Sequence, residues 1–191
     1  FNIDNSLRFN NDDSPSLTFT PSSAGDRDVF TWSAWIKVNG VSGTYPIFTA
    51  GAGNGGGWSS GGTGTGIILY NDQFLTYWNS PSSPTYSSNV IRDPAAWYHV
   101  VLQANDTTLK VFVNGVERSS KSISGDAEIN NTNAQTIGAY ANNTDAYFDG
   151  YMTEINFVDG TAKAATDFGE YNDNSVWIPK KYSGSYGTNG F

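Results

Sequence analysis

Few residues in this chain could do covalent chemistry, and their spacing argues against it. His99 is the single histidine, so a Ser-His-Asp triad would depend on it alone and a multi-histidine metal centre is excluded. It sits on a predicted strand between Tyr98 and Val100, out of phase with the apolar Val100 and Leu102. That pattern predicts a hydrogen-bonded structural histidine. There is no cysteine, which removes thiolate metal sites and any disulfide framework. Hydrolysis of a glycosidic bond needs two carboxylates facing one bond; the nearest acidic pairings are Asp126 with Glu128 and Asp149 with Glu154. Gly51 to Gly66, GAGNGGGWSSGGTGTG, lacks the strand–loop–Lys–Ser/Thr context of a phosphate cradle and reads as a rim loop.

The aromatic residues carry more information. Trp58 stands in that glycine loop, and Tyr45, Tyr77, Trp78, Asn79 and Tyr86 fall on or beside predicted rim loops of the middle strands. Flat amphipathic rings among Asn, Asp and Ser side chains suit neutral sugars, which offer an apolar face and many hydroxyls. These six are the candidate ligand-binding residues, although Trp78 shares its strand phase with Phe74 and so also fits a core. A net charge of −8 and a pI near 4.4 argue against phosphate-backbone binding and anionic membranes. No apolar run approaches the roughly 20 residues of a membrane-spanning helix.

The elements that must position these residues are strands. Trp97 to Glu117, WYHVVLQANDTTLKVFVNGVE, organises the chain: two β-rich runs flank a polar link, and Asn114-Gly115 follows at once. Asn-Gly between such runs is a strong hairpin signal because both central turn residues need positive φ. Three consecutive antiparallel strands follow, with Leu109, Val111 and Val113 on one face. Val29 to Val38 is a long strand whose core face carries Phe30, Trp32, Ala34 and Ile36; Trp35, on the other face, needs a covering loop or a ligand. Further strands are expected at Ser6–Phe9, Ser16–Thr20, Tyr45–Ala50, Ile67–Tyr70, Phe74–Trp78, Gln135–Gly138 and Tyr147–Val158. Asn10 to Pro15 reads as the turn between the first two, and Asn79 to Ser88 as a loop. Phase breaks between Met152 and Ile155, which predicts a β-bulge near Thr153-Glu154. One short helical turn is expected within 161–168. About a dozen short strands without a βαβ rhythm make this an all-β, antiparallel β-sandwich of jelly-roll type. At 191 residues the chain is long enough for a single domain that buries roughly 70 % of its unfolded surface.

Four phrases, FTWSAWIK (30–37), Trp97-Tyr98-His99-Val100, LKVFVNGVE (109–117) and FDGYMTEINF (148–157), resemble the laminin-G-like, concanavalin-A-like lectin/glucanase family. More narrowly, IDNSLRFNNDDS (3–14), RDPAAWYHVV (92–101), INFVDGTA (155–162), DFGEY (167–171) and PKKYSGSYGTNGF (179–191) resemble modules of virion surface proteins of marine tailed phages. In that group the last phrase usually runs on into another strand, so 1–191 is expected to be one module of a longer protein. The resemblance implies a sandwich with a concave face and variable rim loops that binds glycans or proteins. Hydrolases sharing this fold carry Glu-x-Asp-x-x-Glu on one strand, which neither acidic pairing matches, so no catalytic residues are expected. Many relatives hold a structural Ca²⁺ with the aspartate of an "I-D-E-V" phrase; here Thr153 takes that place, and Asp12, Asp13 and Asp149 are the remaining donors. No metal or cofactor is therefore expected. The expected role is a non-catalytic module on a virion surface that binds host surface polysaccharide. The alternatives are a structural or assembly module with virion-protein or self partners, and a depolymerase.

Overall fold

The computed structural model describes residues 1–51, 63–79, 83–141 and 143–191. Two six-stranded antiparallel sheets stack face to face. The first runs β1 (Leu7–Phe9), β14 (Gly150–Asp159), β3 (Val29–Val38), β8 (Tyr98–Asn105), β9 (Thr108–Val113), β10 (Val116–Ser122). The second runs β2 (Leu17–Phe19), β11 (Gln135–Ile137), β4 (Thr44–Ala50), β5 (Thr65–Tyr70), β6 (Gln73–Trp78), β7 (Thr85–Val90). Two small hairpins, β12 (Ala139–Tyr140) with β13 (Asn143–Tyr147) and β15 (Gly169–Tyr171) with β16 (Trp177–Pro179), lie outside the sheets. The all-β sandwich expected from the sequence is the observed architecture.

Alternation on β3 builds the core. Phe30, Trp32, Ala34 and Ile36 are fully buried between the sheets, where Trp32 stacks on Phe48 and Phe30 on Trp78 across the interface. The three-strand meander forms as expected, β8 pairing with β9 and β9 with β10. Asn114 and Gly115 make its tight turn at φ 50° and 78°, as the twist of a hairpin demands.

The predicted bulge is present. Thr153 pairs with Trp35 and Asn156 with Ser33, so Glu154 and Ile155 together oppose Ala34. Glu154 takes φ 48°, and its carbonyl accepts the Asn156 side-chain amide at 2.8 Å. The extra residue returns Phe157 to the core phase that Met152 left.

Two expectations need correction. Ser6–Phe9 and Ser16–Thr20 do not form a hairpin: β1 and β2 join opposite sheets, and the 3-10 turn at Asn11–Asp13 is a crossover between layers. The second half of the supposed 79–88 loop is β7, an edge strand paired with β6. Its Ser- and Asn-rich wording hid it, because an edge strand needs backbone pairing more than an apolar face; Ser87 Oγ accepts the Phe74 amide at 3.0 Å.

A single helical turn at Ala165–Asp167 falls within the predicted window. Beyond it the chain turns back over the first sheet. Phe191 exchanges two backbone hydrogen bonds with Phe157, and Asp159 N–H donates to the Tyr186 carbonyl. A polar knot ties this segment down: the Asp159 carboxylate accepts from the Asp26 and Asn189 amides and from the Asn130 side chain. Asn130, in an Asn-x-Thr sequence, has no exposed surface. Among the described residues no helix is long and apolar enough to cross a membrane.

Candidate functional site

The outer face of the first sheet decides where a ligand can bind, because its two halves are finished differently. The outward side chains of β3 are Thr31, Ser33, Trp35 and Lys37, and the β8 partners of Thr31, Ser33 and Trp35 are Gln103, Val101 and His99. Residues 161–182 cover one half. Thr31 Oγ1 donates to the Thr161 carbonyl and accepts the Lys163 amide, and the Gln103 amide donates to the Lys163 carbonyl. Phe168, Tyr182 and Val158 form an apolar cluster over the strand.

His99 lies at the centre of this cover with no exposed surface. The Trp177 indole, which can only donate, gives its Nε1–H to His99 Nδ1 at 3.1 Å. The imidazole is thereby held as the neutral tautomer with its proton on Nε2, which donates to Ser33 Oγ at 2.9 Å. Its ring stacks between Trp35 and Trp177 at 5.1 and 5.8 Å. Burial lowers its pKa to about 3, because the charged imidazolium would lose its hydration. The expectation of a structural histidine holds: both ring nitrogens are engaged in hydrogen bonds.

The other half is open. A cavity of about 610 Å³ lies beside Trp35, between Trp97, Thr153, Pro179 and the N-terminal segment Phe1–Ser6. Its floor is the Trp35 indole, 6 % exposed, whose Nε1–H is buried and has no hydrogen-bond partner among the described residues. An orphaned buried donor costs about 1–3 kcal/mol. Trp97 forms the wall, 38 % exposed. Asn2 and Asn5 add amides, and among the described residues no Lys or Arg side chain lines the cavity. Thr153, at the place of the missing aspartate, holds the strap by donating from Oγ1 to the Asn5 carbonyl at 2.7 Å. A second cavity of about 370 Å³ lies across the strap, bordered by Glu154 and Tyr186, so the bulge turns Glu154 toward the N-terminal segment.

The six candidates from the sequence do not converge. Trp58, with most of the glycine loop that carries it, lies outside the described residues. Trp78 is a core side chain and not a surface ring: it stacks on Phe30 at 6.1 Å and donates from Nε1 to the Gly125 carbonyl at 2.8 Å, which is the core phase it shares with Phe74. Tyr77 points to the opposite face, buried with Ile68, Leu75 and Tyr140, and burial drives its phenol pKa far upward. Asn79 ends β6 in a left-handed conformation, φ 52°, with its amide donating to the Asp126 carbonyl. Tyr45 packs at the core margin and donates to the Ser42 carbonyl at 2.8 Å. Tyr86 alone among the described candidates is exposed, its ring 6.4 Å from Tyr70. The sequence reading missed Trp97, whose signal is its place just ahead of an outward-facing histidine, two residues from the register partner of Trp35.

The donors available for a structural Ca²⁺ do not fit one. Thr153 is engaged with the Asn5 carbonyl, Asp149 accepts from the Asn39 amide at 2.9 Å, and Asp12 and Asp13 are exposed in their turn. No cluster of three acidic or imidazole side chains able to hold a metal occurs among the described residues.

With the sandwich and this cavity in view, residues 11–166 match the model of the concanavalin A-like lectin/glucanases superfamily, and the chain belongs to that family. No curated protein sequence matches it. Solved structures with the same fold include domain 4 of AbnA, an extracellular arabinanase of Geobacillus stearothermophilus in complex with arabinotriose. It is 17 % identical with a TM-score of 0.62, over 84 % of this chain and 73 % of that one. The heptameric SAP-like pentraxin of Limulus polyphemus is 19 % identical, TM-score 0.56, over 79 % and 72 %. The botulinum neurotoxin serotype G binding domain is 16 % identical, TM-score 0.58, over 85 % and 41 %. The match to the family model ends at residue 166, so most of the cover over His99 lies beyond it.

Proposed function

We propose that this chain is a carbohydrate-recognition module without catalytic machinery, carried on a bacteriophage virion and used to hold host surface glycan. The observation that carries the reading is the pairing, in one cavity, of an exposed indole, Trp97, with the Trp35 side chain and the Asn2 and Asn5 amides. A pyranose ring has an apolar face for the indoles and hydroxyl oxygens for the amides. The arabinanase domain solved with arabinotriose supports a sugar as the ligand class, and the phage-type phrases support the virion setting. Neither acidic pairing is poised for hydrolysis: Asp149 is engaged with Asn39 and Asp126 with Arg27.

A glycan array carrying bacterial surface polysaccharides tests this. The expected result is a hit whose affinity falls about tenfold on Trp97→Ala, a loss of about 1.4 kcal/mol, the scale of one aromatic contact. No binding across the array by the folded protein would overturn it. A protein partner is the second reading, favoured by the exposed Leu7 and Leu17 on the short edge strands of the two sheets; a stable oligomer that Leu7→Asp and Leu17→Asp dissolve would support it.

A further inference from the structure

We propose that Arg8 and Lys37 form a second subsite, beside the Trp97 cavity, that takes an acidic substituent (a carboxylate or a sulfate ester) of the same glycan; this rests on the reading of the Trp97 cavity as a sugar site. Arg8, Tyr151 and Lys37 are direct register partners across β1, β14 and β3. Adjacent strands lie about 4.8 Å apart, so the two cations flank Tyr151 on backbones about 10 Å from each other. They border a separate cavity of about 310 Å³. Lys37 follows Trp35 by two residues on the outward face of β3, about 7 Å along the strand. The loop carrying Pro94 and Trp97 borders both cavities. The two sites are therefore adjoining stations on one surface.

The cations are available to a ligand. Neither Arg8 nor Lys37 makes an ion pair among the described residues, whereas Arg27 and Lys110 do. One carboxylate, Asp149, also borders this cavity, and it is turned toward the Asn39 amide. The local balance is one net positive charge on a chain of net −8, an island where an anion is retained and not repelled. A guanidinium presents paired N–H groups matched to a carboxylate or sulfate, and an ammonium adds a point charge. Tyr151, 38 % exposed between them, supplies a ring for the sugar that bears the acid.

Matched glycans test it: pectate, alginate and chondroitin sulfate, each with its carboxyl-reduced or desulfated counterpart, titrated against the whole chain. The expected wild-type result is that the acidic member of at least one pair binds about tenfold tighter, as for a partly exposed charge-assisted contact. That preference should shrink near 1 M salt, where the screening length is about 3 Å. The variant Arg8→Gln/Lys37→Gln should bring the ratio of the two affinities close to one, with an unchanged melting temperature because neither side chain holds an ion pair among the described residues. Carboxyl-reduced against desulfated pairs tells which acid is read. Equal binding of both members by the wild type, or a preference that survives the double substitution, overturns the subsite while leaving the Trp97 reading intact. An acidic glycan whose preference the double substitution abolishes but whose affinity Trp97→Ala leaves unchanged would keep the anion subsite and overturn its link to the sugar cavity.

Discussion

Two tryptophans on one sheet face meet opposite fates, and the contrast separates scaffold from site. Trp177 closes its half: its N–H is spent on His99, and its ring lies against Gly115 and Gly169, where a Cβ would come within 2.6 Å of it. Trp35 has the same donor and a buried ring, yet its N–H has no partner among the described residues and its ring borders a cavity. Where the tail lies over the sheet, polar atoms are paired and the histidine is silenced. Beside Pro179, at the margin of the cover, a donor is left over next to the exposed Trp97 ring. In the proposed function, this partial cover confines the recognition surface to what it leaves bare.

The sharpest way to break the contrast is to open the closed half. Trp177→Ala should cost about 3 kcal/mol, as for loss of a packed indole, and should expose the segment after 167 to protease; a loss under about 1 kcal/mol would mean that the cover is merely draped. Acid attacks the same half. An unfolded histidine takes a proton near 6.5 and folded His99 only near 3, so its contribution is complete above pH 6.5. It is lost as pH falls from there toward 3, at up to about 1.4 kcal/mol per pH unit from this one proton. Urea unfolding at pH 7 and 5 reads it, and His99→Gln should flatten the slope while lowering stability throughout. Gly169→Ala, which pushes a methyl into the Trp177 ring, should cost about 1–3 kcal/mol. On the open half, Thr153→Val removes the hydrogen bond to the Asn5 carbonyl and should cost only about 1 kcal/mol, visible as faster amide exchange in residues 3–6. Smallest of all, Tyr86→Ala should change the affinity for a glycan hit less than about twofold, since its ring lies on the second sheet, away from the cavity; a larger loss would return the site to that sheet's rim.

The fold is legible in the sequence because strand phase and turn chemistry are local. Phe30 to Ile36 alternate cleanly, Asn114-Gly115 demands its hairpin, and the phase break after Met152 forces a bulge. The pairing of β1 and β2 into different sheets is not legible, since two short amphipathic strands joined by a turn look like a hairpin until the partners β14 and β11 arrive from far along the chain. The site reads poorly for the same reason. Trp78 and Tyr77 look like rim rings in sequence, but one is taken by Phe30 and Gly125 and the other by Tyr140, none of them near in sequence. Trp35 stands out correctly as a ring in need of cover. Which part of it stays bare depends on where a tail from the far end of the chain comes to rest.

If this chain binds sugar as proposed, it does so at the bare half of this face. An amide and indole ¹H–¹⁵N spectrum of the six tryptophans, recorded while a glycan identified on the array is titrated in, tests it most directly. The indole N–H signals of Trp35 and Trp97 should move together and saturably while that of Trp177 stays still. Movement confined to Trp58, with Trp35 and Trp97 unchanged, would contradict it.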